Sequence, residues 1–403
     1  MNRVGQILGH RSAASSVRPA TRHRYVLLLI ALALVVTACG GGGEAEEAGS
    51  EAAGADAGTE AAAEEGGEGG GDGLIAVLLP DSASSDRWET DDRPAFEAAF
   101  EELGLSSDDY QIQNAEGDAA NQQSQAEQAI TNGATVLVLT NLDSGSGATI
   151  IDNAKAQDVS VIDYDRLTQE GDADYYVSFD NEAVGRLQGE TLVDCVEEQV
   201  DAETPRVAVL NGAPTDNNAT LFKNGYDSVI NPLFESGEWE EVDDQAVPDW
   251  DNQQALVIFE QMLTAADNDV DAVVAANDGL GNAAIQALTS AGLEGIPVTG
   301  QDATVGGIQN IVAGNQCMTV YKAITREAQA AAELAVALRD GEEASEATGS
   351  VDNGAKEVPA VLLEPVAVTI DNINETVIED GFRTVEEICT GDFAETEWCQ
   401  ENG

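Results

Sequence analysis

Three cations stand at the ends of apolar runs: Arg87 in "DSASSDRW", Arg166 in "VSVIDYDR" and Lys322 in "CMTVYK". The chain has few to spare. Its 403 residues hold 17 Lys and Arg against 75 Asp and Glu, and five of the cations (Arg3, Arg11, Arg18, Arg22, Arg24) precede residue 25, which leaves 12 for the rest. Carboxylates and amides stand at the same kind of position. Asp165 adjoins Arg166, Asp216 and Asn218 follow "PRVAVLNG", Asn277 follows "DAVVAA", and Asp302 follows "IPVTG". Trp88 and Trp250 accompany them. This mixture suits a ring that carries hydroxyls on its rim and C–H bonds on its face. Carboxylates accept hydroxyl protons, while Arg, Lys and Asn donate to adjacent oxygens. Hydrogen bonds that involve a charge contribute roughly 1.5–3 kcal/mol each. An indole covers the apolar face by dispersion and burial. Arg166 and Lys322 also serve as counter-ions, because Asp165, Asp216 and Asp302 could not otherwise be buried together cheaply.

Other readings compete at each position. A single Asp or Asn after a strand is usually a helix N-cap, and Trp250 could flank a helix start on the surface. Coincidence at many strand ends at once is much rarer than at one. Asp216 and Asp302 could be the paired carboxylates of a glycosidase, but that reaction needs one protonated acid, and the nearby cations favour two ionised ones. No enzymatic activity and no cofactor is therefore expected. No metal site is expected either, since both His (His10, His23) lie in the first 24 residues.

The elements that must carry these residues alternate. "LIAVLLP" precedes "PAFEAAFEELG", "ATVLVLT" precedes "ATIIDNAKAQ", and the pattern restarts at "PRVAVLNG". Continuous apolar strands between amphipathic helices imply parallel sheets covered on both faces. Some 330 residues of this exceed one ordinary domain, so an α/β chain of two doubly wound parallel-sheet lobes is expected. In such sheets a ligand sits beyond the carboxyl ends of the strands, where the polar residues above fall.

The amino terminus reads separately. Five bases precede the apolar run "YVLLLIALALVVTAC", which ends in small residues and Cys39. That is a secretory signal over 1–38, and Val36-Thr37-Ala38-Cys39 is similar to the bacterial lipobox, which implies lipid on Cys39 and attachment to the outer face of the membrane. Residues 39–73 are nearly all Gly, Ala and Glu and read as a disordered acidic tether. After cleavage 12 bases oppose 75 acids, a net charge of −63. Nucleic acid and anionic phosphate partners are excluded by that balance. Cys195, Cys317, Cys389 and Cys399 remain, and outside the cytoplasm two disulfides in one of three pairings are expected. The proximity of Cys389 to Cys399 favours a stapled tail, which leaves Cys195 for Cys317.

At this point the residues carry a resemblance. "DRW", "YDR", "YYVSFDNEAVG", "PTDNNATLFKNG", "VDAVVAANDG", "AIQAL", "GQDA" and "CMTVYK" occur in an order and spacing that resembles the periplasmic sugar-binding proteins of ABC transporters (the type I periplasmic-binding fold), from about Leu74 to Arg383. The resemblance implies sugar contacts by Arg87, Trp88, Arg166, Asp216, Asn218, Trp250, Asn277, Asp302 and Lys322, with Asp165 added from the same motif. It implies a three-strand hinge between an amino-terminal lobe (74–180 plus 323–357) and a carboxy-terminal lobe (181–322 plus 358–403). It further implies a monomer that captures a monosaccharide, D-xylose before ribose, arabinose, galactose or glucose, and hands it to an ABC permease and its ATPase. The same closed form could instead serve a sugar-sensing co-receptor of a membrane kinase. The tether and the tail after Thr384 fall outside the resemblance.

Overall fold

The run "LIAVLL" forms β1 (Leu74–Leu79), and its alternate residues fill two different cores. Ile75, Val77 and Leu79 pack with Phe96, Phe100 and a row of alanines from Ala328 to Ala335. Ala76 and Leu78 pack on the other face with Ala126, Ala129, Ile150 and Ile151. A strand buried on both faces has no reason to alternate with polar residues, which is why the sequence reads as one apolar block. The computed structural model describes residues 71, 73–342 and 347–403. The expected signal segment 1–38, Cys39 and all of the expected tether except Gly71 and Gly73 lie outside the described residues.

The next strands are β2 (Tyr110–Asn114), β3 (Ala134–Leu139), β4 (Ser160–Tyr164) and β5 (Tyr175–Phe179). With β1 they run parallel in the order β5-β4-β3-β1-β2. A second parallel sheet contains β6 (Arg206–Asn211), β7 (Glu240–Ala246) and β8 (Ala272–Ala275) in the order β7-β6-β8. Single bridges at Val273–Val298 and Gln301–Val320 extend it toward β9 (Thr319–Tyr321). The chain then returns to the first sheet as β10 (Gly349–Asp352) and β11 (Glu357–Leu363), before β12 (Val366–Val368) pairs with β9. This is the two-sheet type I periplasmic-binding fold expected from the sequence, with two antiparallel additions at β10–β11 and β12–β9.

The chain passes between the sheets at three places, after β5, β9 and β11. Two of the crossings touch, since the N–H of Asp180 donates to the carbonyl of Leu363 at 3.0 Å. One expected boundary moves. The return to the second lobe was expected at residue 358, but β11 stays paired with β5 as far as Leu363 because Val358 and Ala360 are buried in the first sheet's core. Cys195 is bonded to Cys317, and Cys389 to Cys399. The tail forms its own small core, in which Ile388, Trp398 and Cys399 pack on Ile308, Ile311 and Tyr321. Among the described residues, no helix is long and apolar enough to cross a membrane.

Candidate functional site

The first wall of the site follows β1, where the chain enters the short π-helical turn Trp88–Asp92. Arg87 is buried there and grips Asp92 with two hydrogen bonds of 2.9 Å, from Nε to Oδ2 and from Nη2 to Oδ1. Its Nη1 donates to Oδ2 of Asp165 at 3.0 Å, and Nη2 also reaches Oε2 of Glu327 at 3.2 Å. The guanidinium carbon lies 4.2 Å from the Trp88 ring centroid, within cation–π range. Arg87 is thus held on every side and holds the indole in turn.

Asp165 follows β4 in the left-handed region, with φ of 60°. A non-glycine residue adopts that conformation at a cost, so something must pin it. Its carbonyl accepts from Asn218 Nδ2 at 2.9 Å, Tyr176 Oη at 3.0 Å and Ser178 Oγ at 2.8 Å. Its carboxylate accepts from Arg87, from Lys322 Nζ at 3.2 Å and from Asn218 Nδ2 at 3.1 Å. Burial alone would raise this carboxyl, yet Lys322, Arg87 and Arg166 hold it well below the usual carboxylate range.

The second wall belongs to the strand ends of the other sheet. Asp216 caps the helix Asn217–Ser236, with Oδ1 accepting from the N–H of Asn218 at 2.9 Å. Its Oδ2 accepts from Trp250 Nε1 at 3.1 Å and lies 3.0 Å from Nε of Arg166. One carboxylate therefore caps a helix, orients an indole and pairs with a cation. Trp250 is 5% exposed, which rules out the surface position considered from sequence. Gly212 makes its room, since a Cβ there would fall 2.0 Å from the indole's Cη2. Asn277 spends its Oδ1 on the cap of the helix Asp278–Ser290, through the N–H of Leu280 at 2.9 Å. Asp302 does no capping, because Thr304 caps the helix Val305–Val312. Its Oδ1 lies 3.6 Å from Lys322 Nζ and 3.8 Å from Arg87 Nη1.

All ten residues singled out from the sequence line one cavity, together with Ser84, Ser85, Phe222 and Gln301. Three polar atoms of its lining, Trp88 Nε1, Gln301 Oε1 and Asp302 Oδ1, are buried without a hydrogen-bond partner among the described residues. Buried polar groups are nearly always satisfied, so three on the lining of one cavity leave it with hydrogen-bonding capacity unused by the protein.

The counter-ions read from sequence gain one member. Arg166 contacts Asp216 and Lys322 contacts Asp165 and Asp302, as expected, and Arg87 joins Lys322 at Asp165. Two supporting carboxylates, Asp92 and Glu327, were not read from sequence at all. Asp92 looks like one more acid before a helix in "ETDDRPAF". Glu327 did carry a signal, since it sits at helical spacing between Ile324, Ala328 and Ala331, on a stripe that is wholly buried.

Comparisons with known proteins agree with this architecture. A family model described as periplasmic binding protein domain matches residues 75–343. The D-xylose-binding periplasmic protein of Haemophilus influenzae is 44% identical over 309 residues, 76% of this chain and 90% of that protein. Its Escherichia coli counterpart is 42% identical over the same shares. A carbohydrate transporter solute-binding protein of Chloroflexus aurantiacus, solved in complex with D-glucose, superposes with a TM-score of 0.70 at 30% identity, covering 78% of this chain and 97% of that one. With two parallel sheets, three crossings and a cavity at the strand ends, the chain belongs to the periplasmic binding protein family.

Proposed function

We propose that this protein is the extracytoplasmic binding component of an ABC importer and captures one monosaccharide, D-xylose first, in the cavity between the two sheets. The observation that carries the reading is the set of polar atoms without a hydrogen-bond partner among the described residues, Trp88 Nε1, Gln301 Oε1 and Asp302 Oδ1, beside two indoles and a neutralised cluster of ions. An indole N–H seeks an acceptor, and the two oxygens seek donors. A sugar hydroxyl is both. Relatives named for D-xylose at 42–44% identity support the choice of sugar. The ten residues Arg87, Trp88, Asp165, Arg166, Asp216, Asn218, Trp250, Asn277, Asp302 and Lys322 are the proposed contacts. Arg87, Trp88, Asp165 and Arg166 come from the first lobe and most of the others from the second, with Lys322 at a crossing. Closure about the three crossings then completes the site, and a permease can distinguish loaded from empty chain by shape.

Capture rather than hydrolysis is favoured by the ionisation of the site. Asp165 is held ionised by its neighbours and so is not poised as a general acid, and both oxygens of Asp216 are already engaged by donors or a cation. The lipid anchor on Cys39 and a monomeric state belong to the same proposal, resting on the amino-terminal sequence. Calorimetric titration of the full chain with D-xylose, D-ribose, L-arabinose, D-galactose and D-glucose tests the reading. Binding of D-xylose in preference to D-glucose is expected. Heat absent with every sugar at millimolar concentration would remove the proposal, and a preference for glucose would revise the ligand.

A further inference from the structure

Arg383 is one of the 12 bases beyond residue 24, yet it does not line the cavity. Its side chain is nonetheless 9% exposed and fully engaged. Nη1 and Nη2 donate to Oδ1 and Oδ2 of Asp91 at 2.7 and 3.0 Å, a two-pronged pair. Nε donates to the carbonyl of Ala303 at 2.9 Å, and the guanidinium carbon lies 3.8 Å from the Phe382 ring centroid. Both targets are next to the site. Asp91 lies in the turn that carries Trp88 and Asp92, and Ala303 follows Asp302. One guanidinium therefore ties the Trp88 wall, which leaves the first sheet, to the Asp302 wall, which leaves the second.

The segment that aims Arg383 is anchored in the tail core. Its N–H donates to the carbonyl of Val377 at 2.9 Å, and Val377 packs with Ala303, Tyr321, Ile388 and Trp398 in the tail core. The Cys389–Cys399 bond staples the far side of that core. A charged two-pronged pair held this way differs from an exposed ion pair on flexible stems, because little rotamer entropy remains to be lost. Its geometry also fails within about an ångström of separation, since hydrogen bonds weaken steeply with distance and angle. It can stabilise only the arrangement in which the two walls are close.

We propose that Arg383 is a positioning residue that, with Asp91, latches the Trp88 and Asp302 walls together around the ligand and slows its escape. The inference rests on the ligand-capture reading above. A contact made only in the closed arrangement acts mainly on the dissociation rate.

Two variants of the full chain test it, Arg383→Gln and the milder Asp91→Asn, which leaves the Ala303 contact in place. Hydrogen exchange with and without D-xylose is the first measurement. Faster exchange at residues 88–93 and 302–308, with the tail at 385–402 still protected, is expected for both variants. Unchanged exchange at 88–93 in both, or loss of protection confined to the tail, would overturn the latch and leave Arg383 as a strut of the tail. Stopped-flow tryptophan fluorescence with D-xylose is the second. The dissociation rate is expected to rise about tenfold while the association rate stays within about twofold. An unchanged dissociation rate in both variants also overturns the latch. If the wild-type chain binds no sugar, the ligand-capture reading fails, and the exchange experiment still decides whether Arg383 ties the walls.

Discussion

Nε of Arg166 lies 3.0 Å from Oδ2 of Asp216, although one residue follows β4 of the first sheet and the other follows β6 of the second. Both are buried, and the same carboxylate holds the Trp250 indole. The pair is thus a bond across the cavity, not a local ornament of either sheet. Removing one partner strands the other.

Arg166→Ala is expected to weaken D-xylose binding by about 3 kcal/mol or more, over a hundredfold in Kd, because Asp216 is left buried without its cation. Arg166→Lys keeps the charge but not the planar fork and should fall between the two. Calorimetric titration measures both. A Kd equal to that of the wild type in Arg166→Ala would mean the pair has no part in the site.

Glu327 stands behind Arg87 with one oxygen bonded to it and the other without a partner among the described residues. Burial, and then the charge of Asp165, raise its carboxyl well above the ordinary value, against Arg87 and Lys322. Folding therefore shifts this carboxyl toward its protonated form, whose shape Glu327→Gln reproduces. That variant should cost under about 1 kcal/mol in urea unfolding, whereas Glu327→Ala, which leaves a cavity and an unpaired donor, should cost about 2–3 kcal/mol. Equal losses would show that the carboxylate is ionised in the fold.

Stability should fall as pH rises through neutrality. Burial, aided by the charge of Asp302, lifts the Asp278 carboxyl from 3.8 to about 7 against donors from Gln316, Thr304 and Thr319. Burial likewise lifts Asp163 to about 7, against Thr168 and Lys356. The unfolded chain releases these protons near pH 4 and the folded chain near pH 7. The stability they carry is therefore full below about pH 4 and lost as pH rises through about 7, on the order of 4 kcal/mol per group. Asp165, whose carboxyl is depressed, acts in the opposite direction and in a separate, more acidic window. Urea unfolding at several pH values measures the slope, and Asp278→Asn, with no proton to lose, should flatten it whatever it does to absolute stability. A slope unchanged by that substitution would assign the effect to other groups.

The two disulfides should differ in weight. Cys195–Cys317 closes a loop of 122 residues and Cys389–Cys399 one of 10. On the loop-entropy account the first contributes about 5 kcal/mol and the second about 3 kcal/mol. Paired Cys→Ser variants, compared by urea unfolding, check the order. A larger loss from the short loop would point to the tail core, not chain entropy, as the source of its stability.

Much of this architecture was legible one residue at a time. Strands such as "LIAVLL" and "RVAVLN" are apolar throughout because both faces of each sheet are covered, and that pattern alone implies parallel sheets between helices. Strand ends in parallel sheets open on a common side, so the polar residues after the runs could be placed at one cavity without coordinates. Scarcity helped as well: with only 12 bases after residue 24, a cation at a strand end stood out. The tail after Thr384, by contrast, offered two cysteines and little else, and its core with Ile308 and Tyr321 was not foreseen.

Pairing was beyond the sequence. Local pattern determines which residues can become a strand end, a cap or a buried stripe, because those depend on neighbours a few positions away. Which cation meets which carboxylate depends on side chains separated by 50 residues for Arg166 and Asp216, and by 292 for Asp91 and Arg383. Those distances are set by how the two sheets approach, and a charge carries no periodicity that would reveal its partner. The sequence determined the donors, the acceptors and the indoles; only the tertiary structure decided that Arg87 serves Asp92 and Asp165, that Arg166 serves Asp216, and that three polar atoms of the cavity lining have no hydrogen-bond partner among the described residues.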